Sequence, residues 1–326
     1  MFSREVLNID LEREATEICE ALRHHVTKTL LRRGLVVAVS GGIDSSSCMG
    51  LAVRAFGPKR VFGLLMPERD SSGASVELGK ELCEHVGVEY VIEDIQPTLA
   101  AIGCYERYDN AVRRVFPEFG PGWKSKIVLP PNLLDSDRIN VYRVVVQDPD
   151  GNLQEERLPL QAYLELVAAT NFKQRIRKTL EYFHADRLNF AVTGTPNRLE
   201  YDQGFFVKNG DGSADIKPIA HLYKTQVYAM AKHLDLPDRI CNSTPTTDTY
   251  SLEQGQDEFY FVLPYPEMDL LLWAKNHGVA PAEAAPVLEL TPEQVERVYR
   301  DIDRKRATTR PLQLSPVLAK EVPEIH

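Results

Sequence analysis

The sequence predicts a doubly wound α/β fold, in which a parallel sheet carries helices on both faces. Segments typical of strands alternate along the chain with segments typical of helices. The first strand-like run, at 35–39, is apolar at every position, as expected of a strand that is covered on both faces. Helical crossovers separate the successive strands, and such crossovers join the strands of a parallel sheet.

The elements follow one another in a regular order. An amphipathic helix is expected over 11–33 and leads to the first strand. The remaining predicted elements of this pattern are strand 61–66, helix 74–87, strand 88–92, helix 160–186 and strand 189–193. Gly87 indicates where the helix predicted over 74–87 ends, because glycine commonly follows the last turn of a helix.

Residues 117–160 break this alternation. Two strand-like runs, at 139–147 and 153–158, flank an Asp-Pro-Asp-Gly-Asn turn at 148–152. Alternating runs around an Asp-Gly turn indicate a β-hairpin. We interpret the region as a surface insertion without chemistry of its own, with a lid or a partner-docking element as the alternative.

The composition is that of a soluble enzyme. A chain of 326 residues with 43% hydrophobic residues can bury a full core. The formal net charge of −9 argues against a general nucleic-acid binder. No apolar run reaches the roughly 18 residues of a membrane helix, and the polar N-terminus is unlike a signal peptide. Five scattered cysteines favour the reducing cytoplasm over a disulfide framework.

The loop after the first strand is the most informative part of the chain. Ser40, Gly41 and Gly42 run directly into a helix. Glycine lets the backbone approach a ligand closely because it has no Cβ, and unpaired amides at a helix N-terminus attract anions. Asp44 adds a carboxylate that could hold Mg²⁺ against such an anion. The pattern predicts a phosphate-binding loop.

The string Ser-Gly-Gly-Ile-Asp-Ser at 40–45 resembles the pyrophosphate-binding loop of the N-type ATP pyrophosphatase superfamily. It is neither the phosphate loop of kinases and GTPases nor the Gly-x-Gly-x-x-Gly dinucleotide pattern. The resemblance implies that ATP is cleaved between its α and β phosphates, which gives an adenylated intermediate and pyrophosphate. By itself it does not identify the acid that is adenylated.

The second half of the chain contains further motifs in a characteristic order. They are Asn-x-x-x-Arg-x-Arg at 171–177, Gly-Thr-x-Asn-x-x-Glu at 194–200, Lys-x-Gly-Asp-Gly at 208–212, Leu-x-Lys-Thr-Gln-Val at 222–227, Pro-Thr-Thr-Asp at 245–248 and Gln-Asp-Glu at 256–258. In order and spacing this set resembles the ammonia-dependent NAD synthetase family. The similarity covers about 35–95 and 165–310, which is most of the chain.

The resemblance implies roles for individual residues. The implied ATP-binding residues are Ser40, Gly41, Gly42, Ile43, Asp44, Ser45, Ser46, Thr195, Lys224 and Thr246. The implied residues for deamido-NAD, the acceptor acid, are Arg175, Lys208, Asp211, Asp215, Arg304 and Lys305. Asp44 and Glu200 are the implied ligands of Mg²⁺, the cofactor, and ATP is a co-substrate.

The same resemblance implies a ligase that amidates deamido-NAD to NAD with ammonia, through an acyl-adenylate, and releases AMP and pyrophosphate. It implies one NAD synthetase-like domain over 1–326 and a cytoplasmic homodimer. No glutaminase region is recognised in the sequence, so we expect ammonia from solution or from a separate glutaminase. Neither a nucleic acid nor a membrane is an expected partner.

Three alternative functions remain open on the sequence. Arg304 stands where the family commonly has His, and this departure, with others after 258, allows a paralogous ligase that amidates another acid. A catalytically silent ATP-binding regulator is the second, although Asp44, Glu200 and Lys224 are intact. The third is a tRNA-modifying ligase, which the acidic net charge disfavours.

The helix predicted over 160–186 has one broad apolar stripe. Its members are Leu160, Tyr163, Leu164, Val167, Ala168 and Phe172. Such a stripe is more often a face toward the core than an interface. On an interface, Arg175 would lie beside the partner subunit, one turn beyond Phe172.

Overall fold

The computed structural model describes residues 2–128, 142–243, 250–252, 260–261 and 263–323. At its centre is a parallel sheet. Its strands are β1 (Leu35–Ala38), β2 (Val61–Leu65), β3 (Glu89–Ile92) and β7 (Ala191–Thr193), in the order β3-β2-β1-β7. Leu35 pairs with Val61 on one side and with Ala191 on the other, so β1 lies inside the sheet.

Helices cover both faces of this sheet. On one face, Val37 packs in a cluster with α1 (Leu11–His24) and α2 (Ile43–Phe56). On the other, Val36 packs in a cluster that includes Ala185 of α6 (Leu160–Leu188). Because successive residues of a strand face opposite sides, the sheet is wound on both sides. The predicted fold class is confirmed.

The remaining helices surround this core. A short 3₁₀ turn, Arg4–Leu7, precedes α1, and the others are α3 (Gly73–His85), α4 (Gln96–Ala101), α5 (Cys104–Arg113), α7 (Arg198–Gln203), α8 (Lys224–His233), α9 (Asp238–Cys241), α10 (Tyr265–Asn276), α11 (Pro281–Leu288) and α12 (Pro292–Gln313). Helices α10–α12 form an apolar cluster that includes Leu199 of α7. In the part of the chain that is described, no helix has the length and apolar character needed to cross a membrane.

A second, antiparallel sheet contains the predicted hairpin. Its strands are β4 (Lys124–Val128), β5 (Arg143–Gln147) and β6 (Leu153–Arg157), in that order. The turn between β5 and β6 is held by Asp148 Oδ1, which accepts from the amides of Asn152 at 2.8 Å and Asp150 at 3.0 Å. The hairpin is confirmed, whereas β4 was not predicted. The buried side of the sheet packs on α5 and α6.

Several element boundaries differ from the prediction, and two of them have a clear cause in the backbone. Residues 139–141 of the predicted strand 139–147 lie outside the described residues. Helix α1 ends at His24 and continues as a wider π-type turn over His25–Thr29, so the regular helix does not reach residue 33. Strand β7 begins at Ala191, because Asn189 closes α6 in the left-handed conformation, with φ of 54°. Asparagine tolerates this conformation better than most residues, and the apolar run at 189–193 gives no sign of it.

The apolar stripe on α6 faces the core only in part. Tyr163 and Val167 are half-buried against one hydrophobic cluster and Phe172 against another. Leu160 is 71% exposed and Leu164 is 52% exposed. The buried face instead contains Ala162, Leu166, Ala169, Thr170 and Lys173. Its small residues allow a close approach of α5, where Cys104 Sγ lies 3.3 Å from the carbonyl oxygen of Ala169. Leu160 and Leu164 therefore lie on the exposed side of the helix.

Candidate active site

The predicted phosphate loop lies at the carboxyl end of β1, where open α/β sheets bind ligands. Gly41 has φ of 80°, and a Cβ there would lie 2.7 Å from the carbonyl oxygen of Ser75. Backbone conformation and the close approach of α3 both require glycine at this position. Gly42 is the N-cap of α2 and places no side chain over its first amides.

Serine hydroxyls brace this loop from within. The hydroxyls of Ser45 and Ser46 both donate to the carbonyl oxygen of Gly42, at 3.0 and 2.9 Å. The amide of Ser40 donates to Ser45 Oγ at 3.3 Å. These bonds fix the loop without a ligand, so little ordering is left to be done on binding.

Three parts of the chain meet at Asp44, in the first turn of α2. Lys224 Nζ, at the start of α8, donates to Asp44 Oδ2. Asn197 Nδ2, just before α7, donates to Asp44 Oδ1 at 3.0 Å. Both carboxylate oxygens are thus held by side chains from the second half of the chain. The sequence placed Asp44 and Lys224 in one site, and the structure brings them into contact.

Glu200 is buried beside this cluster. Its Oε2 accepts from the amide of Asn197 at 3.1 Å, and Asn197 Oδ1 accepts from the amide of Glu200 at 3.2 Å. This reciprocal pair is a capping box, which starts α7. Burial, followed by the charge of Asp44, raises the pKa of Glu200 to about 8, and Lys224 offsets part of the effect.

The charge of Lys224 is retained in spite of its burial. The side chain is 1% exposed, and its ammonium lies 5.2 Å from the ring centroid of Tyr265. Burial lowers the pKa of Lys224. The carboxylates of Asp44 and Glu200 together raise it by more than burial lowers it, so the pKa lies above the ordinary value of a lysine. A fixed positive charge therefore stands next to the loop.

Helix α8 takes its N-terminal cap from a different helix. Asp269 of α10 is 0% exposed, and its Oδ1 accepts from the amide of Lys224 at 3.2 Å. Its Oδ2 accepts from the amide of Thr225 at 2.7 Å and from the hydroxyl of Thr225 at 2.8 Å. Burial raises the pKa of Asp269 to about 6. Asp269 thus fixes the base of the Lys224 side chain.

Two of the residues predicted for the acceptor acid, Arg175 and Lys208, are linked to each other and to α12. Arg175 is exposed on α6, and its Nε donates to the carbonyl oxygen of Lys208 at 3.3 Å. Lys208 Nζ donates to the carbonyl oxygen of Pro311, near the end of α12, at 2.8 Å. The loop around Lys208 is thus bonded to α6 on one side and to α12 on the other.

The two aspartates predicted for the acceptor bind the backbone of the chain itself. Asp211 Oδ1 accepts from the amide of Val207 at 2.8 Å. Asp215 Oδ2 accepts from the amide of Val192 in β7 at 2.7 Å. Each carboxylate thus has a structural bond in addition to any contact with a substrate.

The two predicted basic residues of α12 differ in their surroundings. Arg304 is exposed. Lys305 Nζ donates to the carbonyl oxygen of Tyr260 at 2.7 Å and pairs with Asp301 Oδ2 at 2.6 Å. The ammonium also lies 4.6 Å from the Tyr260 ring centroid. Burial lowers the pKa of Lys305.

The remaining predicted residues are Thr195 and Thr246. Thr195 is half-buried in the loop after β7. Thr246 and the motifs at 245–248 and 256–258 lie outside the described residues. The ligand contacts predicted for all these residues remain predictions.

Sequence reasoning did not assign Asn197 or Asp269 to the site. Asn197 had a detectable signal, because Asn followed three residues later by Glu is the pattern of a capping box. Asp269 had none, since it stands within an apolar helix far along the chain from Lys224. Only packing of α10 against α8 brings it there.

The doubly wound sheet, with its glycine loop after β1, defines an enzyme of the adenine nucleotide α-hydrolase-like class. Comparison with known proteins gives the family. The sequence profile of NAD synthase matches residues 14–115 and 132–310, and the chain belongs to that family.

Curated relatives carry the name NH(3)-dependent NAD(+) synthetase. The protein from Rhizobium meliloti (strain 1021) is 56% identical over 325 residues, which cover 100% of this chain and 97% of the relative. The protein from Thermotoga maritima is 37% identical over 273 residues, which cover 83% and 88%. The similarity to the Rhizobium protein therefore includes the 117–160 region.

Solved structures share the fold at lower identity. NH3-dependent NAD synthetase from Campylobacter jejuni, in complex with the nitrate ion, has a TM-score of 0.63 at 22% identity and covers 96% of this chain and 100% of its own. NMN synthetase from Francisella tularensis also has a TM-score of 0.63, at 21% identity, with the same coverage. Two proteins named for different products share this fold, so the fold alone does not select the acceptor.

Proposed function

We propose that the chain is a C–N ligase that converts deamido-NAD to NAD with ammonia and ATP, through an acyl-adenylate. The observation that carries the proposal is the 56% identity over the full chain to a curated NH(3)-dependent NAD(+) synthetase. The cluster of Asp44, Asn197, Glu200 and Lys224 supports it, because it puts two carboxylates and an ammonium beside the glycine loop.

ATP is the co-substrate, and its phosphates would bind at the loop after β1. Free amides at the start of α2 favour the negative charge of the phosphates. The buried Lys224 adds a positive charge next to them. As pyrophosphate leaves, negative charge grows on its oxygens, and a preorganised cation stabilises that change more than water would.

The residues fit a magnesium ion. Asp44 and Glu200 are hard oxygen ligands, and the pKa of Glu200 is raised first by burial and then by the nearby charge of Asp44. Among the described residues no group of three potential ligand side chains is found, so phosphate and water oxygens would complete the coordination shell. When bound, the ion would neutralise charge on the phosphates.

The chemistry proceeds in two displacements. The carboxylate oxygen of deamido-NAD attacks the α-phosphorus of ATP, and pyrophosphate leaves. Ammonia then attacks the acyl carbon, loses a proton and displaces AMP. A carboxylate alone would have to expel oxide, whereas the adenylate offers a good leaving group. The residues act by position and charge, so no nucleophilic side chain is needed.

The acceptor would lie between α6 and α12. Arg175, Lys208 and Arg304 supply positive charge for the two phosphates of the dinucleotide. We propose that Lys305, Asp211 and Asp215 complete this end. Helix α10 supplies Asp269 and α12 supplies Lys305 to the same site as the loop after β1. We therefore propose that residues 1–326 form one domain.

We further propose a homodimer whose interface includes α6. The apolar side chains of Leu160 and Leu164 are exposed in the single chain, and contact with a second subunit would bury them. Arg175 follows Leu164 and Ala168 on the same helix face, since residues seven apart nearly coincide on a helix. The acceptor would then bind beside the partner subunit. Two-fold dimers are the commonest soluble oligomers.

A cytoplasmic location and an external ammonia source complete the proposal. All five cysteines are free and buried, which agrees with a reducing compartment. Ammonia would come from solution or from a separate glutaminase.

The test is product formation by the purified protein. With ATP, Mg²⁺ and ammonium, deamido-NAD should yield NAD, AMP and pyrophosphate in equal amounts. Nicotinate mononucleotide, the acid that corresponds to NMN, and other carboxylic acids should give little AMP. AMP formed only with another acid would overturn the acceptor and leave adenylation intact, and no AMP with any acid would favour the ATP-binding regulator.

A further inference from the structure

A buried ionic cluster joins α6 to the loop at 66–72, which follows β2. Lys173 of α6 is 3% exposed, and its Nζ donates to Glu68 Oε1 at 2.8 Å and to Asp70 Oδ2 at 2.7 Å. The hydroxyl of Tyr105 in α5 donates to Glu68 Oε2 at 2.9 Å. We call Glu68, Asp70, Tyr105 and Lys173 the ionic cluster. It connects three elements around one buried ammonium.

The charges of the ionic cluster are balanced by Arg69. Its Nε donates to Asp70 Oδ1 at 3.0 Å, and its guanidinium lies 4.0 Å from the ring centroid of Tyr105. Burial raises the pKa of Asp70, but Lys173 and Arg69 together lower it by more, so this pKa lies below its ordinary value. Buried charges are costly unless they are paired. Loss of the Lys173 ammonium would therefore release the loop from α6.

The same face of α6 holds the start of the loop at 66–72. Arg177 Nε donates to the carbonyl oxygen of Met66 at 3.3 Å. The side chain of Met66 shares an apolar cluster with Phe172 and Ile176. Residues three and four apart lie on one face of a helix, so these contacts and those of Lys173 come from a single face.

The far end of this loop leads to the phosphate loop. Ser72 is the N-cap of α3, and its Oγ accepts from the amide of Ser75 at 3.1 Å. The carbonyl oxygen of Ser75 lies against Gly41, where a Cβ would approach it to 2.7 Å. Strands β1 and β2 are neighbours in the sheet, so the loops at their carboxyl ends are adjacent. A shift of the loop at 66–72 would move the first turn of α3 relative to Gly41.

We propose that Lys173 is a positioning residue for ATP. It fixes the loop at 66–72 against α6, and this loop holds the first turn of α3 against the phosphate loop. Arg175, on the same helix, has its own bond to the carbonyl oxygen of Lys208, so the acceptor site should not depend on the ionic cluster. The effect on ATP rests on the proposed function, which puts the phosphates at the loop after β1.

Hydrogen exchange on the free protein tests the attachment without any substrate. In Lys173→Met, peptides that span 66–78 and 40–46 should exchange about tenfold faster, because the bonds that restrain both loops are lost. Lys178→Met is the matched control. Lys178 is also buried on α6, but its Nζ donates to Glu181 of the same helix. This variant should exchange as the wild type does at 66–78 and 40–46.

Calorimetry with ATP and Mg²⁺, in the absence of an acceptor acid, tests the consequence for binding. Lys173→Met should raise Kd for ATP by about tenfold, the range of one charge-assisted hydrogen bond, and Lys178→Met should leave it within about twofold. In steady-state assays KM for ATP should rise likewise, whereas kcat and KM for deamido-NAD should stay within about twofold. Loss of folded protein would lower kcat and leave KM unchanged, so the two effects are separable.

Asp70→Asn covers the case in which Lys173→Met does not fold. It removes one charge at nearly the same volume and leaves Glu68 to Lys173, and it should raise Kd for ATP by about threefold. Wild-type exchange at 66–78 or wild-type Kd for ATP in the folded variants would overturn the proposal. An equal rise of Kd in Lys178→Met would overturn it as well. A wild type that binds ATP but makes no NAD would refute only the proposed acceptor, because Kd for ATP is measured without it.

Discussion

Lys224, which is buried, and Asp44, which is half-buried, form an ion pair between the first turn of α8 and the first turn of α2. The lysine ammonium therefore holds the carboxylate that is the proposed magnesium ligand. Because a bound cation and Lys224 would both interact with the carboxylate of Asp44, the ion pair would have to rearrange when ATP and metal bind. The pair couples the phosphate loop to the second half of the chain.

Removing the charge of either proposed metal ligand should nearly abolish adenylation. Asp44→Asn and Glu200→Gln should each lower kcat for AMP formation by about 10²-fold or more, because a charged oxygen ligand is lost. Glutamine can still serve in the capping box with Asn197, so Glu200→Gln should keep its melting temperature. Asp150→Asn, at the hairpin turn, is the control. Near-normal turnover at saturating magnesium in either variant would contradict the metal assignment.

Lys224→Ala should slow pyrophosphate formation much more than it weakens binding of the acceptor. Removal of the ammonium takes away the charge that opposes the departing pyrophosphate, and a loss of about 10²-fold in kcat is expected. The rate of pyrophosphate formation is measured by rapid quench, and KM for deamido-NAD is measured by steady-state kinetics. A large rise in that KM with little change in kcat would exclude Lys224 from the phosphate site.

Asp269→Asn should lower activity by a positional effect. Asparagine retains one acceptor oxygen but puts an NH₂ group against one of the amides of Lys224 and Thr225, so the start of α8 should shift. We expect kcat to fall about tenfold while KM for deamido-NAD stays within about twofold. Asp150→Asn, at the exposed hairpin turn, is again the matched control. Wild-type kcat in Asp269→Asn would show that the cap does not position Lys224.

Asp269 should also make folding stability depend on pH. Its pKa is raised from 3.8 to about 6 in the folded protein, so between these values the folded state binds more protons than the unfolded state. Stability from this group is therefore present at low pH and lost as pH rises from about 4 to about 6, by about 3 kcal/mol in all. The free-energy difference between wild type and Asp269→Asn, measured by urea unfolding, should change by this amount in favour of the variant. A pH-independent difference would contradict burial as the cause.

Light scattering at micromolar concentration should report about twice the 36.8 kDa chain mass. Leu164→Asp should give a monomer and lower activity, because a charge would be buried in the proposed interface. Leu153→Asp, at a 64% exposed leucine of β6, should remain a dimer. A wild-type monomer that is fully active at that concentration would contradict the shared acceptor site.

The sequence by itself determined the parts of the protein that depend on local pattern. Apolar runs and helical periodicity were sufficient for the sheet, and the Asp-Gly turn was sufficient for the hairpin between β5 and β6. The glycine loop was equally local, since Gly41 has a backbone conformation that suits glycine alone. The alternation of apolar residues and the backbone preferences of glycine extend over only a few neighbouring residues, so they can be recognised in a single sequence.

Tertiary structure decided what depends on the meeting of distant elements. It decided that Asp269 caps α8, that the amide of Ser125 in β4 donates to Ser251 Oγ, and that Leu164 faces outward. A helix with apolar residues on more than one side has no single buried face until its neighbours are in place, and α5 selected the face with small residues. A buried carboxylate is tolerated where the packing of other elements places N–H donors against it. The local sequence around the carboxylate does not show whether such donors will be there.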